Sequence, residues 1–214
     1  MKPAAVIFDF DGTLFDTTAA ICRAFNGALA EDGRAPLPES RIRAWIGRPL
    51  REMFPLEDPG ADPATVARRI ECYRRIFLPV CVALSQPLPG VRECLDGLRG
   101  RIRLAIATNR KADGAEAILA GHGWRDRFEL IVGLDDVQRS KPDPEAVLVA
   151  AQRMGLSAET TAMVGDTPED LQAGRAAGAL AIGVATGCHS AEVLAAAGAN
   201  HVIGTLAELP RLIL

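Results

Sequence analysis

Short, continuous apolar runs recur along the chain and predict buried strands. They lie at residues 4–8, 102–107, 128–132, 161–164, 180–184 and 201–203. Runs without alternating polar positions are typical of strands covered on both faces, as in a parallel sheet. Helical periodicity fills the intervals, at residues 91–98, 112–121, 144–154, 169–177 and 191–197. This alternation predicts an α/β fold with a doubly wound, mainly parallel, Rossmann-like sheet.

Residues 17–85 break the alternation. Helical patterns at 17–30, 38–46 and 63–77 occur there without a convincing strand, and Pro55, Pro59 and Pro63 divide the segment. The stretch SQPLPG at 85–90 is typical of a linker that returns to the sheet. We therefore predict a catalytic core made of residues 1–16 and 86–214, interrupted by a helical cap at residues 17–85.

Composition and charge exclude several classes of protein. Of 214 residues, 49% are apolar and 24% charged, and the net charge of -3 comes without a basic stripe, so nucleic acid is not an expected partner. The five cysteines have no CxxC spacing, which argues against a disulfide framework and a zinc site. We see no signal peptide and no membrane-length apolar run. A cytoplasmic protein without a membrane partner is expected, either monomer or homodimer.

Chemically active side chains follow the predicted strands. Ligand sites in open α/β sheets lie at the carboxyl ends of the strands. The residues found at these ends are Asp9, Asp11, Thr108, Asn109, Lys141, Asp166 and Asp170. Each of them alone fits a helix cap, a turn or a surface loop. Their joint occurrence, with carboxylates, a hydroxyl and a lysine in this order, favours a phosphate site.

The carboxylates in this set require a counter-charge. Two carboxylates about 5 Å apart repel by roughly 3 kcal/mol at an effective dielectric constant near 20. Lys141 can offset only one of them. A divalent cation would offset the others, and a ligand set of oxygens without nearby histidine or cysteine favours Mg²⁺ over zinc.

Four motifs resemble those of a known family. DFDGTLFD, ATN, SKP and GDTPED resemble, in this order, the motifs of the haloacid dehalogenase superfamily of hydrolases. The resemblance covers essentially the whole chain. It is strongest to the phosphoglycolate phosphatase-like branch, which carries a helical cap after the first strand.

The resemblance implies a role for each motif residue. Asp9 would be the nucleophile that forms an aspartyl-phosphate, and Asp11 the acid and base that serves the leaving alcohol and then water. Gly12, beside the phosphate, would let the chain turn so that Asp11 can move. Thr108 would bind phosphoryl oxygens, and Lys141 would pair with both the phosphate and Asp9.

The resemblance also implies the remaining ligands. The Asp9 carboxylate, the backbone carbonyl of Asp11 and Asp166 would hold Mg²⁺, with Asp170 as a further ligand or an outer partner. The backbone around Asn109 would bind the phosphate. Asp16 is expected to cap the first helix of the cap.

Other chemistries of this superfamily fit the sequence less well. Its dehalogenases lack the carboxylate corresponding to Asp11, and its phosphonate-cleaving members need a lysine in the cap, whereas no lysine occurs between residues 17 and 87. Its sugar phosphomutases usually have a histidine early in the cap, where this chain has none. A phosphatase is therefore preferred; a sugar phosphomutase and a non-catalytic phospho-acceptor module are the alternatives.

The cap is expected to select the substrate. The segment AWIGRPLREMF at 44–54 joins two predicted helices and resembles the cap loop of phosphoglycolate phosphatases. Its Arg48 and Arg51 either bind a substrate carboxylate or lie on the solvated surface. The expected substrate is a small anionic phosphate ester. The remaining arginines singled out, at 68, 69, 74 and 75, are predicted on exposed surfaces. For Arg110 and Lys111, which follow the ATN motif, a surface location at the start of a helix is preferred, and contact with the substrate is the alternative.

Overall fold

The computed structural model describes residues 2–214 and contains a six-stranded and a two-stranded sheet. In chain order the strands are β1 (Ala5–Phe8), β2 (Phe15–Asp16), β3 (Gln86–Pro87), β4 (Arg103–Ala107), β5 (Leu130–Val132), β6 (Thr161–Gly165), β7 (Leu180–Val184) and β8 (His201–Ile203). The large sheet has the order β5-β4-β1-β6-β7-β8, and all neighbouring strands in it are parallel. This Rossmann-like order confirms the predicted fold class.

Helices surround the sheet and form the cap segment. In chain order they are α1 (Thr18–Glu31), α2 (Glu39–Arg43), α3 (Leu50–Glu57), α4 (Pro63–Leu84), α5 (Val91–Leu98), α6 (Ala112–Gly121), α7 (Glu145–Arg153), α8 (Pro168–Ala176), α9 (Ala191–Ala196) and α10 (Leu209–Ile213). Short 3₁₀ turns occupy residues 125–127, 134–136, 158–160 and 206–208. None of the helices within residues 2–214 is both long and apolar enough to cross a membrane.

The central strand β1 is buried on both faces. Val6 belongs to the hydrophobic cluster that includes Ile118 of α6. Ile7 belongs to a second cluster, which includes Val147 of α7. Successive side chains of a strand point to opposite faces, so the two clusters lie on opposite sides of the sheet. The continuous apolar run of β1 therefore reflects a doubly wound arrangement, with helices on both faces.

The cap segment leaves and rejoins the core at one place. Strands β2 and β3 pair antiparallel, with Phe15 opposite Pro87 and Asp16 opposite Gln86. All four helices α1–α4 lie between these strands in the chain. The Asp16 carboxylate accepts a hydrogen bond from the backbone N–H of Thr18 (3.0 Å), at the start of α1 as predicted. This pairing, absent from the sequence prediction, brings together the two ends of the predicted insertion.

The cap also contains a helix that the sequence does not predict. Helix α3 overlaps in sequence the second half of the segment 44–54, which is expected to join two helices. It also contains Pro55. Proline in a helix removes one backbone hydrogen bond and is normally unfavourable. Met53 and Phe54 of α3 are buried, and Phe54 stacks on Phe25 of α1 with ring centroids 4.4 Å apart. Burial of these side chains offsets the local cost of the proline.

Arg69 of α4 corrects the prediction of an exposed arginine face. Its side chain is 4% exposed, and it contacts Asp32 after α1 (2.6 Å) and Asp58 after α3 (3.1 Å). Helix α4 packs against both α1 and α3. The side of α4 that carries Arg69 is therefore buried although it is charged. The guanidinium of Arg69 thus joins the ends of two helices to a third.

Replacing Arg69 with alanine should lower the free energy of unfolding by about 3 kcal/mol, because it leaves partly buried carboxylates without their cation. Arg68→Ala is the matched control. Arg68 also pairs with Asp32 (3.1 Å) but its side chain is 61% exposed, so we expect a change of less than about 1 kcal/mol. Urea unfolding curves measure both values. Equal losses in the two variants would contradict a buried role for Arg69.

Candidate active site

The carboxyl ends of three neighbouring strands place the predicted site residues together. Asp9 follows β1, Thr108 follows β4 and Asp166 follows β6. In the sheet register Phe8 lies opposite Ile106 and Val164, so these three strands end side by side. Lys141 reaches the same place from the loop after β5. All four residues are buried.

Lys141 is the cation at the centre of this cluster. Its Nζ donates hydrogen bonds to Asp9 Oδ1 (2.6 Å), Asp170 Oδ1 (2.6 Å) and the backbone oxygen of Ala107 (2.8 Å). The other oxygen of Asp170 accepts hydrogen bonds from the backbone N–H (3.1 Å) and hydroxyl (2.7 Å) of Thr167. Asp170 therefore fixes the lysine and the first turn of α8.

Burial and like charge perturb the pKa values of this cluster. Burial and the nearby Asp170 carboxylate raise the pKa of Asp9 to about 7, although Lys141 opposes the shift. Burial, together with Asp9 and Asp170, also raises the pKa of Asp166. Burial acts to lower the pKa of Lys141, but the Asp170 and Asp9 carboxylates outweigh it and raise that pKa. One protonated lysine is insufficient for this group of carboxylates.

The residues of the cluster fit a divalent cation. One oxygen each from Asp9, Asp166 and Asp170 lie within 4.8 Å of one another. Asp9 Oδ2 is buried and has no hydrogen-bond partner within residues 2–214. A Cβ atom on Gly12 or Gly187 would overlap Asp166 Oδ2, so these glycines keep the approach to that oxygen clear. An unpartnered carboxylate oxygen in an all-oxygen site suits Mg²⁺.

Gly12 and Thr13 shape the turn after β1. Gly12 has φ of +86°, in the region that favours glycine, and its N–H donates to the backbone oxygen of Phe15 (2.9 Å). The Thr13 hydroxyl donates to Asp166 Oδ1 (2.8 Å). The turn thus orients a carboxylate on a neighbouring strand as well as redirecting the chain.

Asn109 connects three segments through its side chain. Its Oδ1 accepts from the backbone N–H of Lys141 (2.9 Å), and its Nδ2 donates to the backbone oxygens of Lys141 (3.2 Å) and of Gly47 in the cap (2.9 Å). The side chain is therefore committed to holding the lysine loop and the cap in place. Any contact of Asn109 with phosphate falls to its backbone, as the sequence prediction has it.

Asp11 is held apart from the lysine cluster by Arg110, a pairing that sequence reasoning missed. Arg110 Nε donates to Asp11 Oδ2 (2.7 Å) and Arg110 Nη2 to Asp11 Oδ1 (2.7 Å). The hydroxyl of Thr17 donates to Asp11 Oδ1 as well. The side chain of Arg110 is 12% exposed, so the predicted surface location is wrong. A buried Asp11 carboxylate needs a cation of its own, and this requirement is the signal that could have identified Arg110 as its partner.

A cavity of about 230 Å³ lies between the core and the cap and reaches Asp9, Asp11 and Thr108. Much of its cap wall is apolar, including Ile21 of α1, Met53 of α3 and Phe77 of α4. Arg48 and Arg51 also line it, and both are exposed. Arg51 Nη2 donates to Ser140 Oγ (3.1 Å), next to Lys141, whereas Lys111 lines the same cavity from the core. The structure thus brings both predicted cap arginines to the cavity.

Comparisons with known proteins give a consistent result. The profile of the haloacid dehalogenase-like hydrolase family matches residues 6–184. A protein of Dickeya dadantii named "Probable phosphatase IndB" is 42% identical over 217 residues, which cover 98% of this chain and 92% of that protein. A phosphoglycolate phosphatase of Rhodospirillum rubrum is 33% identical, covering 97% of this chain and 89% of the relative.

A solved structure is similar throughout its length. A hydrolase from Pseudomonas syringae matches with a TM-score of 0.83 and 29% identity, covering 98% of this chain and 97% of the other. The matched family profile spans every site residue named above except Gly187. The resemblance predicted from the four motifs is therefore confirmed.

The raised pKa of Asp9 predicts how stability depends on pH when Mg²⁺ is removed. Between about pH 4 and 7 the folded protein retains a proton on this group that the unfolded chain has released, so the free energy of unfolding contributed by Asp9 falls as pH rises. In EDTA, wild type should therefore lose stability relative to Asp9→Asn between pH 5.5 and pH 8. Thermal unfolding of both proteins measures this difference.

Mg²⁺ provides the second arm of the same experiment. A cation that competes with protons for the carboxylates should raise the melting temperature of wild type more at pH 8 than at pH 5.5. The Asp9→Asn variant should show a smaller rise. A Mg²⁺-induced rise as large at pH 5.5 as at pH 8 would contradict binding at this cluster.

Proposed function

This chain belongs to the haloacid dehalogenase-like hydrolases, and from that premise we propose that it hydrolyses a small anionic phosphomonoester of the phosphoglycolate type, with Mg²⁺ and through an aspartyl-phosphate on Asp9. The observation that carries the proposal is the environment of Asp9. One of its oxygens is fixed by Lys141, and the other is buried without a hydrogen-bond partner within the described chain. A carboxylate held in this way is oriented for attack.

In the first step Asp9 attacks phosphorus. As the bond between an Asp9 oxygen and phosphorus forms, the bond between phosphorus and the ester oxygen breaks. Asp11 donates the proton that the departing alcohol requires. The Lys141 ammonium and the Thr108 hydroxyl would stabilise the phosphoryl oxygens.

In the second step Asp11 acts as a base. It takes a proton from a water molecule as that water attacks phosphorus, and the bond to Asp9 breaks. Inorganic phosphate leaves, while Asp9 is restored as a carboxylate and Asp11 as an acid. Splitting hydrolysis into two displacements lets one carboxyl group serve both proton transfers.

The residues for the cation are those of the acidic cluster. Asp9, Asp166 and the backbone carbonyl of Asp11 would hold Mg²⁺, while Asp170 keeps Lys141 in position. When bound, the ion neutralises charge on the carboxylates and on the phosphoryl oxygens. Without a cation, the ionised carboxylates of this cluster would repel a phosphate dianion.

The cavity supports a small substrate. A cavity of about 150 Å³ is enough to hold benzene. The cavity of about 230 Å³ therefore has room for a phosphoryl group and a leaving group of a few non-hydrogen atoms. Arg48 and Arg51 are cations of the cap that line this space. They are candidates for contact with an anionic leaving group, as the sequence prediction proposed.

Replacing the nucleophile tests the mechanism. We expect Asp9→Asn to lower kcat on 2-phosphoglycolate and p-nitrophenyl phosphate by about 10³-fold or more, because an amide cannot form the phosphoryl intermediate. Asp113→Asn is the control, since Asp113 lines the same cavity but pairs with Arg74. Release of inorganic phosphate in Mg²⁺ measures all three proteins. Near-normal turnover by Asp9→Asn, with its mass confirmed, would contradict the proposal.

The alternative chemistries predict other products in this assay. A phosphomutase would convert a sugar phosphate into its isomer without releasing inorganic phosphate. A phospho-acceptor module would form a long-lived phosphoprotein from acetyl phosphate and Mg²⁺. Two features disfavour them: α1 begins without the expected histidine, and a buried Asp11 supplies an acid for which a phospho-acceptor has no use.

A further inference from the structure

The side chain of Arg110 lies at the boundary between the core and the cap. Its guanidinium is 4.7 Å from the centre of the Phe77 ring of α4 and 5.6 Å from that of Phe10 in the core. A Cβ atom on Gly114 would lie 2.9 Å from Arg110 Nη1, so a residue without a side chain makes room for it. Two rings, one from the cap and one from the core, therefore fix the position of this cation.

The ion pair between Arg110 and Asp11 is incompatible with acid catalysis while it lasts. Both Asp11 oxygens accept hydrogen bonds from the guanidinium at 2.7 Å, and Thr17 adds a third. An acid must instead carry a proton and point it at the ester oxygen of the substrate. Asp11 must therefore leave Arg110 before it can protonate a leaving group.

Separating this pair leaves a buried guanidinium without an anion. Removal of one partner from a buried ion pair is strongly unfavourable unless another anion takes its place. Lys141, the buried cation that contacts the cavity residue Asp9, is already shared by Asp9 and Asp170. Arg74 is paired with Asp113 (2.5 Å). Among the cavity arginines that the structure describes, Arg110 is thus the one whose carboxylate partner, Asp11, is also the proposed catalytic acid.

We propose that Arg110 binds a carboxylate on the leaving group of the substrate and releases Asp11 in exchange. The carboxylate would take the two N–H donors that Asp11 now occupies, in the same planar, bidentate geometry. Asp11 then takes back from solvent the proton that it released on pairing with Arg110, and donates it to the ester oxygen as the bond to phosphorus breaks. This inference rests on the proposed phosphatase function and narrows its substrates to phosphate esters of small hydroxy acids.

The exchange links recognition to catalysis. Both Asp11 and Arg110 line the cavity, so a bound ester meets the pair directly. A neutral leaving group leaves Arg110 with Asp11 as its best partner and so holds the acid back. An anionic leaving group replaces Asp11 and frees it. Binding of the correct substrate therefore raises the rate of the chemical step as well as the affinity.

A pair of esters that differ only in charge tests the exchange. 2-Phosphoglycolate and its amide, 2-phosphoglycolamide, have the same shape, but the amide lacks the carboxylate. We expect wild type to favour the acid by roughly 10- to 100-fold in kcat/KM, the range typical of charged hydrogen bonds. Arg110→Met should reduce this ratio to near one, through loss on the acid and, because Asp11 is then free, through gain on the amide. Arg110→Lys should keep an intermediate ratio.

Two further variants separate this role from a structural one. Arg74→Met removes another arginine of the cavity and should keep the wild-type ratio. Arg110→Gln keeps a polar side chain without the charge and should lose the ratio as Arg110→Met does. Circular dichroism confirms that each variant is folded. Equal losses on the two esters in Arg110→Met and Arg110→Gln would overturn the exchange and leave Arg110 a structural residue.

The outcome for wild type distinguishes the two proposals. If it hydrolyses both esters without preferring the acid, the assignment of Arg110 is wrong and the phosphatase function stands. If it hydrolyses neither ester, nor p-nitrophenyl phosphate, in the presence of Mg²⁺, the proposed function itself is wrong.

Discussion

Burial of several carboxylates around one lysine is the constraint on which the rest of this structure depends. Asp9 and Asp170 share the Lys141 ammonium, whereas Asp166 receives a hydrogen bond from the Thr13 hydroxyl. Such a group is unfavourable in a folded chain unless protons or a cation balance it. The unfavourable charge is confined to the carboxyl edge of the sheet, whereas the central strand β1 is apolar and buried over its whole length. The same buried carboxylates therefore account for the expected attraction of Mg²⁺ and for the proposed phosphate chemistry.

Asp9 and Asp11 are two residues apart, yet the structure gives them different cations. Asp9 contacts Lys141, whose loop is held by Asn109 within the core. Asp11 contacts Arg110, which also touches Phe77 of the cap. The proposed nucleophile is thus positioned by the core, whereas the proposed acid is positioned at the boundary with the cap. Two carboxyl groups in one turn can serve different roles because their surroundings differ.

The sequence was sufficient for the sheet and for the residues at its strand ends. Continuous apolar runs gave β1, β4 and β6 within one or two residues, and parallel strands necessarily end at a shared edge. The contacts between side chains could not be predicted from the sequence in the same way. Arg110 follows the ATN motif and precedes helix α6, so the sequence favoured a surface position over contact with a substrate. Helix α3 formed despite Pro55 because Phe54 packs on Phe25, a contact between segments distant in sequence.

A crystal structure of the protein with Mg²⁺ and fluoroberyllate, which mimics a phosphoryl group on a carboxylate, tests the role of Asp9 most directly. We expect beryllium bonded to an Asp9 carboxylate oxygen, Mg²⁺ between Asp9 and Asp166, and Lys141 and Thr108 at the fluorine atoms. Fluoroberyllate bonded to Asp11, Asp166 or Asp170 instead, or Asp9 left unmodified at saturating fluoroberyllate, would contradict nucleophilic catalysis by Asp9.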